Sequence, residues 1–141
     1  MQYVCDAGAH TWFRIETEAE ATIESRDMNH AVEKYFMQAA EEAAKSYVPP
    51  KSVRPFEQSI GRKAHVQRVM PRFLTLRNSE GKALVTAMLP PEGDDEKRFK
   101  PIVVGHSNAD PYVEHASAIR ALAQHLGLSL DPARCYPYRR G

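Results

Sequence analysis

The segment Gly105-His106-Ser107-Asn108-Ala109 joins an apolar run, Ile102-Val103-Val104, to a helix whose start is marked by Asp110 and Pro111. A helix N-terminus carries free N–H groups and partial positive charge, so a strand-to-helix junction of this kind favours anions. Gly105 permits close backbone approach, and His106, Ser107 and Asn108 offer bonding groups; these four are the candidate ligand-binding residues. The competing reading is a polar loop in which the Asp110 carboxylate already occupies the helix N–H groups. One glycine with no following Lys-Ser/Thr pair excludes a phosphate-binding loop or a dinucleotide fingerprint.

Cys5, Asp6 and His10 form a second group. A cysteine near a histidine can supply a nucleophile and its base, or two metal ligands completed by Cys135 or another histidine. Neither chemistry has its usual spacing: there is no C-x-x-C pair, no H-x-x-x-H, and the other histidines at 30, 65, 106, 115 and 125 are scattered. No catalytic residue, metal ligand or cofactor is therefore assigned. In a reducing cytosol two separated cysteines read as free thiols, although a disulfide between Cys5 and Cys135 is compatible with the sequence. Glu16, Glu18, Glu20 and Glu24 read as a solvated helix start and not as an acid–base pair.

The third group is basic. No acidic residue lies between Glu57 and Glu80, whereas Arg62, Lys63, Arg68, Arg72 and Arg77 do. Such a run can neutralise phosphates, with Phe73 as a stacking surface. Residues 1–50 hold 4 Lys/Arg against 9 Asp/Glu, and residues 51–100 hold 11 against 6. The basic middle can therefore pair with the acidic first third inside the fold, and that reading is preferred over nucleic-acid binding.

The elements that must position these groups are legible in part. At 141 residues, with 43% hydrophobic and 26% charged, the chain has the composition of one globular domain, with Arg139–Gly141 frayed. No apolar run reaches membrane-span length and no secretory leader is read at the N-terminus, so a soluble cytoplasmic protein is expected. A strand is predicted from Trp12 to about Thr17, then a helix from Glu18 opened by the Thr17-Glu18-Ala19-Glu20 capping box. After a break near Asp27, the main helix runs from Met28 to Tyr47, with a stripe including Ala31, Val32, Tyr35, Phe36, Ala39, Ala40 and Ala43; Pro49 and Pro50 stop it. Residues 49–71 read as irregular, with a weak strand at 64–69. Residues 72–89 read as a hairpin turning at Asn78-Ser79-Glu80-Gly81. A strand at 99–104 and a helix from Pro111 to Leu126, ended by Gly127, complete the pattern.

The expected fold is α+β: an antiparallel sheet of about four strands with two main helices packed on one face. The expected role is a non-catalytic binding or regulatory module acting through a protein partner or self-association, without membrane contact. A nucleic-acid binder using the basic stretch is the first alternative, and a small enzyme using Cys5/His10 or the 105–110 loop the second.

Overall fold

The computed structural model describes residues 1–51, 54–94 and 101–130. Cys135, most of the acidic-basic run at 92–98, Phe99 and the tail beyond Leu130 lie outside the described residues, as do the expectations attached to them.

The fold is α+β. Its order is β1 (Gln2–Ala7), β2 (His10–Arg14), α1 (Glu18–Met28), α2 (Val32–Lys45), α3 (Pro55–Val69), β3 (Arg72–Arg77), β4 (Ala83–Leu89), β5 (Ile102–Val104) and α4 (Tyr112–Leu126), with a 3-10 turn at His106–Asn108 before α4. The five strands form one antiparallel sheet in the order β1-β2-β3-β4-β5. The sheet exceeds the expected four strands because β1 is a strand. Its alternation is broken by a register shift between Tyr3 and Cys5, and Tyr3 is exposed.

Strand alternation divides the side chains between two cores. On one face Trp12, Leu74, Leu76, Val85, Ala87 and Val103 pack against Ala118, Ile119, Leu122 and Ala123 of α4. The Trp12 indole N–H donates to the Ala118 carbonyl at 2.9 Å, tying sheet to helix inside this core. On the other face Ile15 and Phe73 pack against Ala21 of α1 and Val32, Phe36 and Ala43 of α2, with Met70. The expectation that both main helices share one face is thus corrected: α2 and α4 lie on opposite faces. The cause is the central hairpin, whose arms are apolar on both sides and need cover on both.

The Thr17 capping box forms as expected, with the Glu20 carboxylate returning to the Thr17 N–H. The long helix is interrupted at Asn29, not Asp27. Asn29 adopts the left-handed conformation (φ 51°, ψ 57°) and its N–H bonds the Ser25 carbonyl, so Met28 closes α1 and α2 starts at Val32. The residues expected to hold a weak strand, 64–69, are helical in α3. Pro55 opens that helix instead of breaking it, since its missing N–H falls where none is needed. Gly61 is tolerated within it because a Cβ there would overlap the Tyr47 hydroxyl. The 72–89 hairpin turns as expected, with the Gly81 N–H on the Asn78 carbonyl at 3.0 Å. Gly127 ends α4 at φ 70°, and the Leu128 N–H returns to Ala123. Among the described residues no helix is long and apolar enough to cross a membrane.

Because Phe36 and Ile119 anchor the two cores at 4% and 2% exposure, Phe36→Ala and Ile119→Ala should each destabilise the protein by about 2–5 kcal/mol. Urea midpoints check this, and two separate cores more than a shell apart should give nearly additive losses in the double variant.

Candidate functional site

The break between α1 and α2 brings His30 over the sheet face formed by β3, β4 and β5. There a cavity of about 400 Å³ is lined by His30, Ala31, Val32, Tyr35, Phe73, Thr86, Met88, Ile102, Val104 and Asn108. Register explains the floor: Phe73 pairs with Met88 and Met88 with Ile102, while Thr86 pairs with Val104, so all five share one face. Size and lining are those of a small-molecule site, an apolar body with few polar groups.

Those polar groups belong to a buried chain. The Arg77 guanidinium donates to one Glu24 oxygen at 2.8 Å, and the Thr86 hydroxyl donates to the other at 2.5 Å. Nε2 of His30 lies 2.8 Å from the same Thr86 oxygen. Thr86 has one proton, and an ionised carboxylate only accepts; Thr86 therefore accepts from His30 Nε2–H, and Nδ1 is the unprotonated nitrogen. Nδ1 accepts from the Val32 N–H at 3.4 Å, close to the outer limit of a hydrogen bond. Burial raises the Glu24 carboxyl above its ordinary range, opposed by Thr86, Thr75 and Arg77. Burial also lowers the His30 imidazole, opposed by the residue's own backbone, and His106 adds to the lowering.

The reading of Glu24 as part of a solvated helix start is overturned: its side chain is fully buried. The sequence carried one signal of this. Glu24 falls on the stripe of Ala21 and Met28, the two other fully buried residues of α1.

The predicted 105–108 segment borders this cavity through Asn108. The Asn29 amide donates to Ser107 Oγ at 2.9 Å, and that oxygen lies 3.1 Å from His106 Nδ1, so the cap of α1 holds the turn. Ser107 and Asn108 both take positive φ, 55° and 60°, a costly pair of conformations for residues with side chains. Gly105 serves a different purpose from the one its position suggested. It is buried, its N–H bonds the Ala109 carbonyl at 2.7 Å, and a Cβ would meet that oxygen at 3.2 Å. The N-terminus of α4 is occupied, with Asp110 Oδ1 accepting from the Tyr112 N–H at 2.9 Å.

The basic residues do not converge. Arg62, Lys63 and Arg68 lie on exposed positions of α3, while Arg72 and Arg77 are held at the ends of β3. Arg77 turns to Glu24, and Arg72 Nε donates to the Pro90 carbonyl at 2.8 Å. Pairing with the acidic first third holds for Arg77 alone of the five among the described residues.

Cys5 is 7% exposed in the α4-side core, and burial, aided by Asp6, pushes its thiol pKa up. That is the reverse of an activated nucleophile. His10 pairs across the hairpin with Ala7 and lies edge-on to His115, ring centres 6.2 Å apart. Among the described residues no three His, Cys, Asp or Glu group around a metal position.

Comparison with protein-family models, curated proteins and solved structures finds no match to this chain. The cavity and its buried chain are therefore read from their own chemistry.

Removing the cation that faces Glu24 should be costly: Arg77→Met is expected to destabilise by about 3–5 kcal/mol near neutral pH. A raised folded pKa means that the native state holds the Glu24 proton more tightly than the unfolded chain. This group's contribution is thus full below the ordinary carboxyl pKa and lost as pH rises through the folded value. Arg77→Met raises that value further, so its deficit against wild type should shrink as pH falls towards about 4.3. Urea unfolding at several pH values reads this directly.

Proposed function

We propose that the protein is a non-catalytic small-molecule-binding module whose site is the cavity between the α1–α2 break and the β3–β5 face. The observation that carries this is the pairing of an apolar cavity with a buried Arg77–Glu24–Thr86–His30 chain that ends on its wall. Buried ionic chains are poor stabilisers compared with apolar packing of equal volume, and the Ser107–Asn108 turn beside the same cavity holds two consecutive residues at positive φ. Both features are accounted for by a site that must present fixed polar groups to a ligand.

The test is a panel of small aromatic and branched-aliphatic fragments followed by amide chemical shifts. Binders should move the resonances of residues 30–32, 86–88 and 102–108 saturably, and Ile102→Trp should block them by filling the cavity. Shifts confined to other surfaces would refute the site.

A second reading has its own observation. The helix α3 fully buries none of its residues, and Phe56 and Ile60, one turn apart, are 75% and 56% exposed. Polar bonds fasten its second half: Arg14 donates to the Gln67 carbonyl, Gln67 to the Glu16 carbonyl, and Ser46 Oγ contacts His65 Nε2. The first half presents two apolar residues with Lys63 on the same face, which fits an acidic amphipathic helix of a partner protein. An acidic helical peptide with leucines at i and i+4 should bind in a salt-sensitive way, measured by fluorescence anisotropy. Phe56→Ser with Ile60→Ser should abolish that binding while changing stability by no more than about 0.5 kcal/mol per site.

A further inference from the structure

We propose that the cavity takes an organic acid, a carboxylate on an apolar body, and that Nδ1 of His30 gains a proton from solvent when the acid binds. This rests on the ligand-pocket reading above and names the class of ligand.

The donors facing the cavity decide the class. Among the described residues that line it none carries a carboxylate, and the polar ones are His30, Tyr35, Thr86 and Asn108. Thr86 has its proton committed to Glu24, so it cannot donate to a ligand. Val32 opens α2, whose N-cap, Ala31, supplies no side-chain acceptor. Among the described residues the Val32 N–H is thus held by the 3.4 Å contact with His30 Nδ1 alone, whereas the next N–H, of Glu33, has a firm acceptor in Ser25 Oγ at 2.8 Å. A carboxylate entering here can accept from the Val32 N–H, at the positive end of α2.

The buried chain behind His30 suits a cationic ring. Nε2–H already donates to Thr86, and Thr86 to Glu24, so a proton added at Nδ1 breaks no bond in that chain. It gives up only the long Val32 contact, and the new Nδ1–H and the Val32 N–H then point donors at the same acceptor. Charged groups around the ring are consistent with this. Glu24 stands behind Thr86 with its charge balanced by Arg77, His106 approaches from the 106–108 turn, and Glu33, Lys34 and Glu41 of α2 border a neighbouring groove with His30. The β5 lining residues, Ile102 and Val104, add no charge. Among the described residues, none supplies the ring with an anion on its cavity side.

The probes are 3-phenylpropionate and its neutral amide, 3-phenylpropanamide, titrated calorimetrically into the whole protein near pH 7 in phosphate and in Tris. Charge-assisted bonding should make the acid bind about tenfold tighter than the amide. The heat for the acid, but not the amide, should depend on the buffer and report net proton uptake. Its affinity should rise as pH falls from about 8 to about 6, the range in which imidazole titrates. His30→Gln should remove both the uptake and the pH dependence. If that variant fails to fold, the two-buffer comparison on the wild type decides alone. Equal affinity for acid and amide, or no proton uptake with the acid, would overturn this inference and leave the pocket reading standing. Failure of both compounds to bind would overturn both.

Discussion

A fully buried carboxylate, Glu24, is the constraint around which one face of this protein is built. Such a group is costly in an apolar interior unless a cation and hydrogen-bond donors meet it. Each partner comes from a different element: Arg77 from the end of β3, Thr86 from the middle of β4, and His30 through Thr86 from the α1–α2 break. Satisfying one charge therefore fixes α1 against the central hairpin and fixes where the chain must leave the helix. The apolar core of Ile15, Phe36 and Phe73 takes Ala21 from α1 on that face. Glu24, one turn further along the same buried stripe, adds directional bonds to that packing.

The break itself has two uses. Asn29 stops α1 by adopting a left-handed conformation, and its side-chain amide holds Ser107. The same three residues, 29–31, place His30 on Thr86 and give α2 an N-cap, Ala31, with no side-chain acceptor of its own. Helix termination, turn anchoring and the cavity roof are thus one local event. On the opposite face Trp12 reaches the Ala118 carbonyl, and around it α4 and the sheet bury aliphatic side chains.

Legibility followed energy. The capping box at Thr17, the hairpin at Asn78–Gly81 and the Gly127 stop of α4 are local patterns in which propensity and termination agree, and all three are in the structure. The helix α3 was illegible because it buries no residue completely, so no stripe marks it, and its proline and glycine read as breaks. The strand β1 hid behind an irregularity in its register. The two-sided placement of α2 and α4 was latent in a hairpin apolar on both faces, a pattern that calls for cover on each. The cavity was half legible: Asn108 stood in the predicted ligand loop, while His30 looked scattered and Glu24 looked solvated. Their meeting depends on contacts 56 and 62 residues apart in sequence, through Thr86, and no local period encodes such a contact.

Alternation along β4 and β5 has a consequence for how this protein can change over time. Thr86, Met88, Ile102 and Val104 face the cavity, whereas Val85, Ala87, Leu89 and Val103 between and beside them face α4. Neighbours in sequence thus serve opposite faces, so on the proposed reading Met88, Ile102 and Val104 can be exchanged to reshape the cavity without placing a changed side chain in the α4-side core. Thr86 is the exception, because its hydroxyl also satisfies Glu24.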